Sequence, residues 1–215
     1  MSLKKYFEYL QAGIRHPALL KSSDKRYIIL LSHMRSYSSL ISHIIGSHPD
    51  ISGHSELQQS YLQRKDFIKA NFKSYLNSGK CSQNVFDKIL NNHFRINPDL
   101  DENMLFIISV REPIASINSL YSLYKHELKY KKFNVGELVD YYINRLGFLR
   151  DFAQSRKSKF LYIKAEDIIS DTEESLKRIS NYLKLDSQLN PEYEMFRNTG
   201  KTGAGDPGDT IKSGH

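Results

Sequence analysis

The stretch YIILLSHMRSYSSLISHIIGSHPDISGHSE, residues 27–56, contains the pattern that decides the fold. Residues 27–31 are apolar throughout, which is typical of a strand buried on both faces of a parallel sheet. A short polar loop, 32–37, follows, and apolar residues at helical spacing then predict a helix from about Ser38 to Gly46. A buried strand, a tight loop and a helix start together predict an α/β unit.

The loop of this unit is a candidate anion site. Backbone N–H groups and the positive end of the helix dipole point to one place in such a loop, which suits a phosphate or sulfate. Arg35 adds a planar fork of donors, and Ser36, Ser38 and Ser39 add hydroxyls. The alternative is an ordinary βα turn with a surface arginine. The G-x-x-x-x-G-K-[ST] pattern is missing, which disfavours a Walker-type nucleotide triphosphatase.

Two segments of the stretch resemble sulfotransferases. Residues 34–40, MRSYSSL, are similar to the 5′-phosphosulfate loop, R-S-G-[ST]-[ST]-L, and residues 47–51, SHPDI, to the segment after it. Tyr37 stands where glycine is usual in the family. The resemblance implies that the loop binds the 5′-phosphosulfate of 3′-phosphoadenosine 5′-phosphosulfate through Arg35, Ser36, Tyr37, Ser38, Ser39 and Leu40.

A second arginine follows a second buried strand. Residues 104–110 are apolar apart from Ser109, and Arg111-Glu112-Pro113 then begins a helix in which Arg111 and Ser119 lie little more than two turns apart. The two side chains can therefore converge on one anion beside the first loop. The segment resembles the family's 3′-phosphate motif, R-[DNE]-P-x-x-x-x-x-S. The alternative is a helix-capping arginine and a solvated serine.

The resemblance also implies the catalytic residues. Asp87-Lys88 resembles the D-K end of the family's second strand, so Lys88 and Arg35 would supply positive charge to the transferred sulfonate. Glu56 is the candidate general base, because family members that use a carboxylate carry it shortly after the H-P segment. His54 is the alternative base, since its ordinary pKa near 6.5 suits proton abstraction at neutral pH.

The two ends of the chain differ in composition. An N-terminal helix is predicted within residues 1–22, and it is expected to pack on the body through Tyr6, Phe7, Leu10 and Ile14. The glycine-rich segment 198–215 is either a disordered tail or a lid over the co-substrate. Gly205-Asp206-Pro207 resembles the late loop of the family, and Lys201 could then reach a phosphate.

Composition narrows the class of protein. The 215 residues, 40% of them hydrophobic, suit a single domain, 1–215. A net charge of +7 indicates anionic partners, but no nucleic-acid-binding motif is present and a charged small cofactor explains it as well. The one cysteine, the lack of a membrane-spanning run and the polar first ten residues favour a cytoplasmic protein. We expect no metal, because no ligand spacing such as H-E-x-x-H occurs.

The order of elements predicts an α/β three-layer sandwich with a central parallel sheet, the P-loop NTPase-like fold of sulfotransferases. The strand 160–163 and the helices 138–153 and 172–183 complete it. The expected activity is transfer of a sulfonate to a hydroxyl or amine of a small-molecule or carbohydrate acceptor. A non-catalytic nucleotide- or phosphate-binding module, which has no use for Glu56, and a small-molecule kinase are the alternatives.

Overall fold

The computed structural model describes residues 3–97, 100, 103–127, 134–155, 160–196, 199 and 211. Five parallel strands form one sheet in the order β2-β3-β1-β4-β5. The strands are β1 (Arg26–Leu31), β2 (Ile51–Ser52), β3 (Asn84–Ile89), β4 (Met104–Val110) and β5 (Leu161–Lys164). The helices are α1 (Leu3–Arg15), α2 (Ser38–Ser47), α3 (Arg64–Ser78), α4 (Pro113–Ser122), α5 (Val135–Ser155), α6 (Asp167–Ser170) and α7 (Thr172–Leu183).

The central strand β1 shows why the fold has three layers. Ile28 and Leu30 point to a core shared with α2 and α7, whereas Ile29 and Leu31 point to a second core shared with α3 and α5. All four side chains are fully buried, so both faces of the strand are covered. The predicted sandwich with a central parallel sheet is confirmed.

The strand order places the candidate loops side by side. β1 lies between β3 and β4, and the three strands run in the same direction, so their carboxyl ends meet at one edge. The chain leaves β1 toward α2 and β4 toward α4 at that edge. Ligands of open α/β sheets bind in this position, where connections leave the sheet in opposite directions.

Two strands differ from the prediction. The brief run expected at 85–86 is a full strand, and Asp87 and Lys88 are buried inside it. The strand expected to be buried at 160–163 is the edge strand β5, which pairs with β4. Because one side of an edge strand lacks a neighbour, Tyr162 is half exposed.

The N-terminal helix is confirmed, but its predicted packing face is wrong. Tyr6, Phe7, Leu10 and Ile14 are exposed. The helix instead contacts α3 through the side that carries Tyr9, Ala12 and Gly13. No helix in the described ranges is both long and apolar enough to cross a membrane.

Candidate functional site

The backbone of the loop after β1 has an unusual path. Arg35 and Tyr37 have φ angles of 63° and 56°, in the left-handed region that non-glycine residues seldom adopt. Left-handed residues in a tight loop turn backbone N–H groups toward one concavity, the arrangement of anion-binding nests. Tyr37 therefore keeps the conformation that glycine would adopt freely, at a cost of roughly 1 kcal/mol. α2 begins at the next residue, so its positive end faces the same place.

Hydrogen bonds of buried side chains hold this loop in place. The hydroxyl of Ser36 donates to the carbonyl of His33 over 2.6 Å, so it is used inside the loop. The Ser32 hydroxyl donates to the Ser109 carbonyl on β4, also over 2.6 Å. The backbone N–H of Met34 donates to the Tyr141 hydroxyl over 2.8 Å. The loop is thus fixed to β4 and α5 before any ligand binds.

His33 links the two arginine-bearing loops. Its Nε2 accepts a hydrogen bond from the backbone N–H of Arg111 at 3.0 Å, so in the neutral ring Nδ1 carries the proton and donates to the Met34 carbonyl at 2.9 Å. Burial lowers the pKa of this histidine and keeps the ring neutral, which preserves its acceptor. No sequence motif marks His33 as a functional residue. Its place in the polar loop two residues after a buried strand was the only available signal.

Arg35, Tyr37, Arg111 and Ser119 form what we call the arginine cluster. Arg35 Nε donates to the Ser119 hydroxyl over 2.9 Å. The Arg111 guanidinium donates to the Arg35 carbonyl (3.0 Å) and to the Tyr37 hydroxyl (2.9 Å), and it lies 4.2 Å from the centre of the Tyr37 ring. The structure therefore brings together residues from both sequence motifs.

One donor in the arginine cluster has no partner in the part of the protein that the structure describes. Arg111 Nε is buried and makes no hydrogen bond to any residue that the structure describes. A buried unpaired donor costs on the order of 1–3 kcal/mol, and more for a charged group. With the left-handed loop and the start of α2 beside it, this donor fits a site for an anionic ligand.

Glu56, Asp87 and Lys88, with Ser39, form the carboxylate cluster. Lys88 Nζ, at the end of β3, lies 3.8 Å from a Glu56 carboxylate oxygen and donates to the Ser39 hydroxyl over 3.2 Å. The Lys88 side chain is 1% exposed, whereas the Glu56 side chain is 17% exposed. Burial raises the pKa of the Glu56 carboxyl, and the Lys88 ammonium opposes that shift.

Asp87 holds the segment that carries Glu56. Its carboxylate accepts hydrogen bonds from the backbone N–H groups of Leu57 and Lys88, both at 2.7 Å, and from the Tyr61 hydroxyl at 2.8 Å. Burial raises the pKa of Asp87 to about 7, although these hydrogen bonds oppose the shift. Asp87 belongs to the family-like D-K motif, but that motif does not indicate this positioning role.

His54 has a different environment from Glu56. Its ring is 1% exposed and stacks on Phe196, with ring centres 3.8 Å apart and planes at 10°. Neither ring nitrogen has a hydrogen-bond partner in the described part of the chain. Burial, with smaller effects from the charges of His43 and Lys88, lowers the pKa of His54 to about 3.

A buried arginine that no sequence motif indicated forms hydrogen bonds to the ends of β1 and β3. Arg145 of α5 is 1% exposed and donates to the carbonyls of Ser32 (2.8 Å) and Ile89 (2.6 Å), and to the Asn92 side chain (2.8 Å). Burial lowers its pKa to about 10, so it remains charged at neutral pH. It thereby fixes the carboxyl ends of β1 and β3 relative to each other.

The remaining predicted site residues lie in three kinds of position. Ser38 is buried at the first turn of α2, and Leu40 packs partly against the core. Lys201 and the proposed lid, 198–215, lie outside the described residues except for Thr199 and Ile211.

No group of three His, Cys, Asp or Glu side chains that could hold a metal ion occurs in the described ranges.

Three solved structures resemble the fold closely enough to compare. Mouse sulfotransferase SULT7A1 in complex with PAP is 14% identical, with 84% of this chain and 64% of that chain covered and a TM-score of 0.56. The sulfotransferase domain from the curacin biosynthetic pathway is also 14% identical, with 89% of this chain and 87% of that chain covered and a TM-score of 0.55. Sulfotransferase STF1 from Mycobacterium tuberculosis H37Rv is 13% identical, with 83% of this chain and 72% of that chain covered and a TM-score of 0.54.

These similarities concern structure rather than sequence. No protein-family profile and no curated protein matches the sequence. At 13–14% identity, the similarity shows a common fold, and this chain spans 64% of the mouse protein's length.

Proposed function

We propose that this chain, which has the fold of sulfotransferases, transfers a sulfonate from 3′-phosphoadenosine 5′-phosphosulfate to a hydroxyl or amine of a small-molecule or carbohydrate acceptor. The arginine cluster carries the proposal. Two arginines from separate strand ends meet beside the start of a helix, and a buried N–H of Arg111 has no partner among the described residues. A nucleotide with anionic groups at two positions fits two converging cations better than one phosphate does.

The residues divide between the two ends of the co-substrate. Arg111 and Ser119 would bind the 3′-phosphate, whereas Arg35 and the loop through Leu40 would bind the 5′-phosphosulfate. Because the Ser36 hydroxyl is used inside the loop, backbone N–H groups and the hydroxyls of Ser38 and Ser39 are the better donors there. Lys88, beside Ser39, would neutralise charge on the oxygen that bridges phosphorus and sulfur.

Glu56 would act as the general base. The acceptor oxygen or nitrogen attacks sulfur, and the bond from sulfur to the bridging oxygen breaks with its electron pair on the bisphosphate product. The acceptor proton moves to the Glu56 carboxylate. Lys88 favours the ionised carboxylate, while burial keeps it more basic than an exposed glutamate. The stacked and buried His54 is less suited to this role.

Calorimetric titration with nucleotides tests the proposal. Adenosine 3′,5′-bisphosphate should bind about tenfold or more tightly than adenosine 5′-monophosphate, because Arg111 and Ser119 would lack their phosphate in the monophosphate complex. Tighter binding of ATP with Mg²⁺ than of the bisphosphate would favour a kinase instead.

Transfer itself needs a second measurement. The protein is incubated with donor labelled in the sulfonate and a panel of hydroxyl and amine acceptors, and labelled product is counted. Tight bisphosphate binding without transfer to any acceptor, and without slow hydrolysis of the donor, would indicate a nucleotide-binding module with no catalytic role.

A further inference from the structure

The exposed side of α1 is a continuous apolar stripe. Residues with spacings of three and four positions fall on one face of a helix. The stripe consists of Leu3, Tyr6, Phe7, Leu10 and Ile14, which are 78%, 53%, 56%, 48% and 72% exposed. Single exposed apolar residues are ordinary on protein surfaces, but a contiguous row along one helix indicates an interaction site.

The helix is held to the body by its other side. The Tyr9 ring lies 5.2 Å from the Phe72 ring of α3, and Ala12 is buried against the same cluster. A Cβ atom on Gly13 would lie 3.4 Å from the Phe72 ring, so the two helices are in close contact there. His16, just after α1, lies 4.7 Å from the Tyr75 ring. The stripe therefore faces outward while the opposite side of α1 is docked on α3.

The charges along α1 indicate what covers the stripe. Lys4 and Lys5 occupy the first turn, Arg15 the last, and Glu8 is the one acidic residue of the helix. An apolar stripe on a helix with more basic than acidic residues is typical of helices that lie in the surface of an anionic membrane. There the apolar side chains enter the boundary of headgroups and acyl chains, and the basic residues meet lipid phosphates.

A second copy of the chain fits this surface less well. Two apposed α1 helices would bring basic residues near basic residues, in a protein whose net charge is already +7. Like charges across an interface oppose association. With 13 residues, α1 is also too short to span a bilayer, which needs about 20. The geometry therefore suits a helix parallel to the membrane plane.

We propose that α1 docks this protein on the surface of a bilayer that contains anionic phospholipids. The apolar stripe inserts at the level of the headgroups, and the basic residues of α1 add attraction to lipid phosphate. The docking surface belongs to α1 and does not depend on the activity proposed above.

Flotation with lipid vesicles tests this docking. The full chain should bind vesicles containing about 30 mol% phosphatidylserine at least roughly tenfold more strongly than pure phosphatidylcholine vesicles. The double variant Phe7→Ser/Leu10→Ser should lose about tenfold or more of that binding. A matched control, Leu62→Ser/Ile169→Ser, removes two exposed apolar side chains elsewhere and should bind within about twofold of wild type.

The charge contribution is tested separately. The triple variant Lys4→Gln/Lys5→Gln/Arg15→Gln should lose most of the preference for anionic vesicles, and about 0.5 M salt should weaken wild-type binding. Three results would overturn the proposal: no vesicle binding by wild type, equal loss in both double variants, or a wild-type dimer in sedimentation that Phe7→Ser/Leu10→Ser dissociates. The last result would assign the stripe to self-association. Unchanged circular dichroism and thermal midpoint in every variant would show that each is folded.

Discussion

The arginine cluster and the carboxylate cluster lie at the same edge of the sheet but differ in how their charges are compensated. Within the described chain Arg111 donates its hydrogen bonds to neutral groups, a carbonyl and a hydroxyl, and one buried N–H has no partner; the Glu166 carboxylate interacts with its charge electrostatically. Lys88 instead has a carboxylate, Glu56, within ion-pair distance. A cation whose hydrogen bonds go to neutral groups can still bind an anionic ligand, whereas a paired carboxylate can accept a proton. We therefore expect binding and proton transfer to depend on separate residues.

The clusters also differ in what holds them in place. The arginine cluster rests on a loop with left-handed residues, braced by His33 and Tyr141. The carboxylate cluster rests on the end of β3, and Asp87 fixes the crossing segment through the Leu57 N–H. Changes in the first cluster should affect affinity, and changes in the second should affect turnover or the pH dependence of stability.

The largest expected effect is on turnover. Glu56→Gln keeps the size of the side chain and removes its basicity, so sulfonate transfer should fall by about 100-fold or more. Affinity for adenosine 3′,5′-bisphosphate should change by less than about threefold, because Glu56 is not part of the arginine cluster. Steady-state rates and calorimetry measure the two quantities on the same preparation.

His54 provides the control for this experiment. His54→Phe can keep a stacked ring against Phe196 and removes both ring nitrogens. It should retain activity within about tenfold of wild type, because a group with a pKa of about 3 is a weak base. An active Glu56→Gln enzyme and an inactive His54→Phe enzyme would reverse the two roles.

The next effect is on affinity. Arg35→Ala and Arg111→Ala should each weaken bisphosphate binding by about 2 kcal/mol, or roughly 30-fold, the scale for hydrogen bonds to charged groups. Arg150→Ala removes an exposed arginine whose ion pair is with Asp151, and it should leave affinity unchanged. If the affinity of both cluster variants equals that of Arg150→Ala, the anion site lies elsewhere.

The positions of the two arginine-bearing loops could be predicted from local sequence pattern. Arg35 and Arg111 each come after a buried apolar strand and before a helix, so the edge of the sheet and the shared location followed from topology. Tyr37 was recognised as a departure from the family's glycine, but its left-handed backbone was visible only in the structure. The pairing of Glu56 with Lys88 was likewise visible only in the structure.

The residues that were missed have partners far along the chain. Arg145 is 113 positions from Ser32, and His33 is 78 positions from Arg111, so no local pattern could reveal either contact. The apolar periodicity of α1 was read correctly as a helix. The periodicity could not show which side of α1 packs on α3. Small residues such as Ala12 and Gly13 allow close helix packing, and the larger apolar side chains can then remain exposed.

A smaller effect is expected in the pH dependence of stability. The folded-state pKa of Asp87, about 7, lies above its ordinary value of 3.8, so the folded chain binds more protons than the unfolded chain between these values. The free energy of unfolding should therefore fall as pH rises through this window, by about 1 kcal/mol or more from this group. Asp87→Asn resembles the protonated acid and should remove that part of the decline.

Urea unfolding at about pH 5 and about pH 8 measures this difference. The asparagine amide can donate to the Tyr61 hydroxyl while its oxygen accepts from Leu57 and Lys88, so the variant should fold. Parallel losses of stability in wild type and Asp87→Asn would mean that Asp87 is ionised in the folded protein throughout. Its buried charge would then be stabilised by the three hydrogen bonds alone.

The smallest expected effect isolates the backbone of the arginine cluster. Tyr37→Ala and Tyr37→Gly lose the same ring contact with Arg111, but only glycine adopts a φ of 56° without steric cost. The glycine variant should therefore be the more stable by about 0.5 kcal/mol or more, since the left-handed penalty exceeds the entropy that glycine loses on folding. Urea midpoints of the ligand-free proteins measure the difference.

A matched pair on α4 should give the opposite sign. Ile114 is exposed in the first turn of a regular helix, where alanine is favoured over glycine by about 0.5–1 kcal/mol. The glycine variant should thus be more stable than the alanine variant at Tyr37, and the alanine variant more stable than the glycine variant at Ile114. If alanine is the more stable at both positions, the loop relaxes out of its left-handed path when the tyrosine is lost. The ring contact with Arg111, rather than the backbone, would then hold the loop in its left-handed path.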